Sequence, residues 1–523
     1  MTREMLYDAI TEVKDELVLD SMAFRPAKKR VRWMRFGAIA AAFAVVIGLG
    51  AGVFSGTIPW LIGGNAGGGG TDGSQVFDIY AGPVFPLTTV EGGEGLTAER
   101  TITYDFKGWM AGDPDHPYYG LPVTDFYALT NPTGEDKTVT LLYPFAADLF
   151  ELGLGKHQPT LTADGAELDA ALLTGQYSRL AVGRPGGLPS LSNPDNWEEY
   201  RDLLSDGRYQ ASATDGWPDL SGIPVTVYEI ANPWVADGQG GRENYNPTIH
   251  AEFGLDYGKT RVFSRGFNSG CFDQKGGKMR QGFTAPLPPA EGSSIDPAIY
   301  ERDKAETHYL IVVGEPVTDF RLLGTWDGAP ESTNYLEWGV GIGASLRQYE
   351  TDLDSALRTV AGQMPRAKNY GVADSPGFEL YFGMLKDCLL DTGLLLDNPQ
   401  ERYDFMNLED LYPDSIQRVF YLKAEVTVPA GGNVMVEARM IKEASFDYDC
   451  SGSKNKGVYG YDLVTKLGTN LDFTSQTAKA VNTQNVEIVR QNFGFDWVNG
   501  VDTVTLDPAV EHYYLEVRGV KVK

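Results

Sequence analysis

The stretch DFYALTNPTGEDKTVTLLYPF, residues 125–145, decides the fold class. Tyr127 and Leu129 alternate with other residues and lead into Asn131, Pro132, Thr133 and Gly134; Val139, Leu141, Tyr143 and Phe145 then recur at every second position. A period of two puts such side chains on one face of a strand, and an Asn-Pro-Thr-Gly cluster is turn chemistry. The stretch therefore predicts a β-hairpin. YLKAEVTVPAGGNVMVEARM, residues 421–440, repeats the design, with Val426 and Val428 before the turn at 429–433 and Val434 and Val436 after it. Residues 101–106 put Ile102, Tyr104 and Phe106 on one face, and shorter strand patterns occur at 225–230, 309–313, 485–490, 503–506 and 513–517. The predicted class is mainly β, with antiparallel β-sandwich-like exported domains and helical insertions, preceded by one transmembrane helix. The helices are expected at 195–206, 378–390, 399–407 and 349–363, the last with Leu353, Ala356, Leu357 and Val360 at helical spacing.

The membrane expectation rests on FGAIAAAFAVVIGLGAGVFSGTIPWLI, residues 36–62, which carries no charged residue. A helix of about 19 residues rises about 28 Å, near the thickness of a bilayer's hydrocarbon core. Lys28, Lys29, Arg30, Arg32 and Arg35 precede it, whereas no Lys or Arg occurs in the Gly-rich segment that follows. Basic flanks stay in the cytoplasm, so residues 1–35 are expected inside and the C-terminal portion outside the cell. The long basic region and long apolar run favour an uncleaved signal anchor over a cleaved signal peptide. The expected divisions are a cytoplasmic segment (1–35), the anchor (36–62), a Gly-rich linker (63–75), a β-rich exported domain (76–345), a helical insertion (346–415) and a C-terminal β-rich region (416–523). Leu6, Ile10, Val13 and Leu17 share one helical face within residues 2–20, a candidate surface for a cytoplasmic protein partner. Ala40, Ala44, Gly48 and Gly52 recur every four residues along the span, where Ala44, Gly48 and Gly52 are candidates for helix self-association.

The chain's net charge is −27, and residues 1–35 are slightly basic, so the exported portion is strongly acidic. Such a surface disfavours nucleic acid as a partner. Three cysteines, Cys271, Cys388 and Cys450, make no disulfide framework. The five histidines, His116, His157, His250, His308 and His512, fall in no zinc-binding spacing and read as surface or strand residues. Nucleophile-elbow and phosphate-loop motifs are absent, and Gly339, Gly341 and Gly343 mark a tight strand. Asp447, Asp449 and Ser451, with Ser453, place oxygens at alternate positions like the first half of a calcium loop, but Val458 stands where the bidentate acid belongs. They form a calcium candidate beside the simpler reading of an acidic turn. Seven tryptophans, at 109, 197, 217, 234, 326, 338 and 497, supply rings that a sugar could stack on or a core could absorb.

The opening MTREMLYDAITEVKDELVLDS, the basic stop KKRVRWMR, one span and an exported domain together resemble membrane-bound anti-sigma-factor-like proteins of Gram-positive bacteria. The segments AGPVFPLTTVEGGEGLTAERTITYDF and GVYGYDLVTKLGTN also resemble a set of uncharacterised, β-rich Firmicutes surface proteins. The first resemblance covers about the first 62 residues and implies a sigma factor as cytoplasmic partner. Residues 1–35 hold neither His nor Cys, so zinc-assisted binding is not implied. The expected function is a membrane-anchored extracytoplasmic sensor or interaction protein, without enzymatic activity or cofactor, whose outer ligand is a glycan or a protein. The alternative is a carbohydrate-binding or structural surface module on an inert anchor; an exported hydrolase ranks third.

Overall fold

The computed structural model describes residues 77–520 except 108, 110–119, 154–157, 178–179, 182–189, 192–195, 206–215, 237–244, 290–295, 392–394, 396–406 and 449. Contacts divide the chain after Ile62, and every described residue belongs to the second unit. The expected anchor and cytoplasmic segment lie outside the described residues. Among those described, no helix is long and apolar enough to cross a membrane. The unit is mainly β, with several predominantly antiparallel sheets.

The two predicted hairpins are not hairpins. Strand Leu121–Thr130 pairs with Thr97–Asp105 and Asn433–Lys442, whereas Lys137–Ala147 pairs with Thr88–Glu91 and Arg418–Val428. Each turn therefore arches from one sheet to the sheet facing it, and the two arches stack strand on strand. Their turns interlock through Asn131, which is fully buried: its Nδ2 donates to Glu135 O (2.8 Å) and Val428 O (3.1 Å), and its N–H donates to Gly432 O (2.9 Å). Alternation specifies the face of a strand but leaves its pairing partner open. Here both apolar faces point at each other across a core, which an arch satisfies and a flat hairpin does not.

One seven-stranded sheet, ordered by residue range 503–505, 472–481, 97–105, 121–130, 433–442, 160–163 and 166–167, forms the backing of the first sandwich. Two shorter sheets cover its inner face. One holds 88–91, 137–147, 418–428 and 171–177; the other holds 83–84, 459–464, 512–519 and 486–491, with 445–446 beside it. Strands from the regions read as 76–345 and 416–523 thus share the same sheets.

The second sandwich lies wholly within residues 224–352. An inner sheet (260–265, 308–314, 224–235, 342–352) faces an outer sheet (269–273, 278–284, 248–254, 318–325, 335–336) across a core that includes Ile230, Ile249, Phe253, Leu310 and Phe283. The other face of the inner sheet, through Val227, Phe263, Tyr309 and Ile311, packs into the core that also holds helices Leu353–Ala361 and Pro376–Asp391. Burial on both faces explains the unbroken apolar run Tyr309–Val313. The helix expected at 349–363 starts later, because strand pairing continues to Asp352, whose carboxylate then caps the helix by accepting from Ser355 N (2.8 Å).

Candidate functional site

The outer sheet of the second sandwich turns one face to its core and the other away. Strand register places Cys271, Arg280, Glu252 and Arg321 in one row on that outer face, with Ser269, Gly282, His250 and Leu323 in the next. Thr284, Thr248, Thr325 and Tyr335 form a third. Glu252 Oε2 accepts from Arg280 Nε at 2.8 Å and its Oε1 from Arg321 Nε at 3.0 Å. Burial works to raise the Glu252 carboxyl, but hydrogen bonds from both arginines outweigh it and hold the group below its ordinary range. Arg280 Nη1 also donates to Ser332 O (2.8 Å) and Pro330 O (3.3 Å), tying residues 326–334 back over the sheet. That segment is closed by Trp326 N donating to Asn334 O (3.1 Å) and by Asn334 Nδ2 on Asp327 Oδ2 (2.6 Å). Beside it Tyr335 is 53 % exposed, with Trp338 and Val340 exposed on the following turn.

His250 is buried on this face, and its proton can be placed. Thr325 gives its hydroxyl proton to Asp327 O (2.8 Å), so its Oγ1, 3.0 Å from His250 Nε2, must accept there. Nε2 then carries the proton and Nδ1 the lone pair. Burial, helped by the Arg280 charge, pushes the imidazole down to about 4, so the ring is neutral at physiological pH. His250 Nδ1 and Ser269 Oγ have no hydrogen-bond partner, and both face Gly282. A Cβ there would sit 2.5 Å from Nδ1 and 2.7 Å from Oγ.

A second constellation surrounds residues 78–84, where the chain enters the first sandwich. Ile79 and Phe446 exchange two backbone hydrogen bonds of 3.0 Å. Asp78 N donates to Asp447 Oδ1 (2.7 Å), and Tyr448 N returns a bond to Asp78 Oδ2 (3.2 Å). Tyr80 donates to Asp462 Oδ2, which lies 3.0 Å from His512 Nε2, and the Trp197 indole stacks on His512 at 4.4 Å. Lys442 Nζ donates to Ala81 O (2.6 Å), and burial pushes this amine down to about 8. Pro83 and Val84 then pair in parallel with Asp462 and Leu463.

This clasp contains part of the calcium candidate. Asp447 is buried, and both of its oxygens are engaged, Oδ1 by Asp78 N and Oδ2 by the Ser453 hydroxyl. Ser451 Oγ accepts from Ser453 N (3.2 Å), and Asp449 lies outside the described residues. Among the described residues no three His, Cys, Asp or Glu side chains are grouped to hold a metal. Leu6, Ile10, Val13, Leu17, Ala44, Gly48 and Gly52, and likewise His116 and His157, also lie outside them. His250, His308 and His512 all stand in strands and are buried. Of the seven tryptophans singled out above, Trp109 and Trp197 are buried in cores and Trp338 alone is exposed. The Gly343 position fits the tight-strand reading: a Cβ there would meet the Trp234 indole at 2.7 Å. Sequence reasoning did not single out Tyr335, Ser269 or Gly282, because their significance comes from pairing across strands far apart in the chain. No protein-family model matches the chain, and no curated protein matches it.

Proposed function

We propose that this chain is a single-pass, membrane-anchored extracytoplasmic interaction protein, with residues 1–35 in the cytoplasm, 36–62 as signal anchor and the β-rich portion outside the cell. The uncharged run at residues 36–62 behind Lys28, Lys29, Arg30, Arg32 and Arg35 supports this reading. The first described residues after the Gly-rich linker are not a loose leader: backbone bonds and the buried groups Asp447, Asp462 and Lys442 stitch them into the first sandwich. The cytoplasmic output is the Leu6/Ile10/Val13/Leu17 face, for which an anti-sigma-like role with a sigma-factor partner is the reading its layout supports.

Protease added to intact cells should remove the β-rich portion and leave a protected N-terminal fragment that includes the anchor. An untouched β-rich portion, or a mature product beginning beyond Ser55, overturns the proposal. The sigma-factor arm fails separately if residues 1–35 retrieve no more sigma factor than a Leu6→Asp/Leu17→Asp control.

A further inference from the structure

We infer that two copies of this chain join edge to edge along residues 344–352, strand beside antiparallel strand, with Gln348 on the two-fold axis. The inference does not depend on the anchored reading, because the edge belongs to the folded second unit. Strand Ile342–Asp352 ends the inner sheet, and its one ladder among the described residues runs along strand Pro224–Val235. That ladder fixes which backbone groups are already used. Leu353 N donates to Ile223 O (2.8 Å) in continuation of the register, so this pair is of the hydrogen-bonded kind, and the two kinds alternate along the strand. Ser345, Arg347 and Tyr349 therefore turn N–H and C=O toward residues 224–235. Leu346, Gln348 and Glu350 turn theirs outward, where no backbone group of the described residues meets them.

Sheets guard such a row with lysine, proline, a bulge or short length. Residues 345–352 hold neither Lys nor Pro, and their register with the neighbouring strand is unbroken. The opposite edge of the same sheet, by contrast, is met by Asn407 at Ser264. Ser345, Leu346, Arg347 and Gln348 are all exposed, Leu346 at 47 %. A second copy is the occupant that fits. Turned about Gln348, the whole of 344–352 pairs with itself, setting Leu346 opposite the second copy's Glu350 and Arg347 opposite its Tyr349. The outward groups at 346, 348 and 350 then supply about six backbone hydrogen bonds. No like charges stand directly opposite, whereas an axis at Arg347 would oppose two arginines. Arg347 is held by Glu229 (2.5 Å) and lies 4.7 Å from the centroid of its own Tyr349 ring. The second copy's Tyr349 would thus meet a cation already fixed in place.

The test uses the full chain in detergent micelles, its mass followed by sedimentation on dilution. Gln348→Pro removes an N–H that residues 224–235 do not use, and Leu346→Asp plants a charge in the middle of the edge. Each should raise the dimer's dissociation constant about tenfold or more, the equivalent of about 1.4 kcal/mol. Lys259→Ala, an exposed change beside the opposite edge, should leave it unchanged. If Gln348→Pro lowers the melting temperature, Leu346→Asp decides. In a Cys271→Ser/Cys450→Ser background, a short bis-maleimide should join two copies carrying Gln348→Cys and not two carrying Ala344→Cys. Amides of Leu346, Gln348 and Glu350 should be protected in the dimer and exchange on dilution, while those of Arg347 and Tyr349 stay protected throughout. A monomer at every concentration, or a dimer indifferent to both Gln348→Pro and Leu346→Asp, overturns the inference. Outward amides that stay protected in the monomer overturn it too, since another segment of the chain then covers the edge.

Discussion

The two sandwiches use the same chemistry in opposite places. In the first, Arg100 and Asp125 form a bidentate pair (2.9 and 2.8 Å) with both side chains 0 % exposed. In the second, Arg280, Glu252 and Arg321 form their network on an outer face, where Arg321 is 64 % exposed. The difference follows from the layers. The long sheet of the first sandwich is covered by two shorter sheets, and Arg100 stands where their coverage meets. There it donates to Val464 O (2.7 Å) and Phe85 O (3.3 Å), while the Tyr127 hydroxyl donates to Asp125 (2.6 Å). Without it those carbonyls would lose these donors in a dry interior. Burial opposes the guanidinium charge, yet Asp125 outweighs that cost and holds the group above its ordinary range. No comparable seam lies beneath Arg280, so its network can face outward.

The contrast breaks most clearly by mutation. Arg100→Ala or Asp125→Ala leaves a buried charge unpaired and should cost about 3–5 kcal/mol, enough to unfold the first sandwich in much of the population. Glu252→Ala, in a network whose side chains run from 13 % to 64 % exposed, should cost less, about 1–2 kcal/mol. Hydrogen exchange resolved by region measures both. The double change Arg100→Met/Asp125→Leu sharpens the point. If charge dominates, it recovers most of the loss; if capping of Val464 and Phe85 dominates, it does not.

Protonation should separate the sandwiches with opposite signs. In the second, burial pushes His308 from 6.5 down to about 4, with Nδ1 donating to Gly266 O (2.8 Å) and the ring stacked on Phe283. The unfolded chain then binds a proton that the folded one refuses. His308 therefore supports stability fully above its unfolded value, and that support is lost as pH falls toward 4, by up to about 1.4 kcal/mol per pH unit. At the end of strand Lys137–Ala147 in the first sandwich, burial and then the Glu151 charge push Asp148 from 3.8 up to about 7. There the folded state keeps a proton that the unfolded chain releases, so stability is full below about 4 and declines as pH rises through 7. On going from about pH 7.5 to 5.5, protection factors, taken relative to the intrinsic exchange rate at each pH, should fall around strand His308–Gly314 and rise around helix Leu149–Gly153. Parallel responses would refute the contrast.

These differences mark what the sequence could disclose. Alternation in residues 125–145 and 421–440 correctly announced strands and their buried faces, because side-chain direction is local. Pairing is not local: the same turn residues serve an arch or a hairpin, and the buried, polar Asn131 is the one hint that the turn packs against another. Helix 353–361 is legible from spacing and 376–391 from a run apolar on more than one side, whereas 349–352 continues a strand because residues 224–227 pair with it. The candidate site was scarcely legible. Ser269, Gly282 and His250 become neighbours only through register, and the exposure of Tyr335 follows from its place at the sheet edge, which no local pattern announces.

Asn131→Ala should show how far the arches depend on that hint. It removes donors to Glu135 O and Val428 O and the acceptor for Thr133 N (3.1 Å), of which the bond to Val428 O is buried and the other two lie nearer the surface. An expected loss of about 1–3 kcal/mol, read by denaturation, should fall on the first sandwich and leave exchange in residues 224–352 unchanged. The smallest expected effect is at the clasp. Asp447→Ala frees Asp78 N and the Ser453 hydroxyl at a partly wetted edge, so about 1 kcal/mol should be lost. Exchange should quicken in residues 77–81 before it changes anywhere else. Each Asp447 oxygen already accepts one hydrogen bond, and among the described residues no three His, Cys, Asp or Glu side chains are grouped to share a cation, so millimolar calcium should leave the melting temperature of the unmodified chain where it was. A calcium-dependent rise that Asp447→Ala abolishes would make the clasp a metal site and show that the first sandwich, too, keeps charged groups open to a ligand at its edge, weakening the contrast between its buried charges and the outward-facing ones of the second.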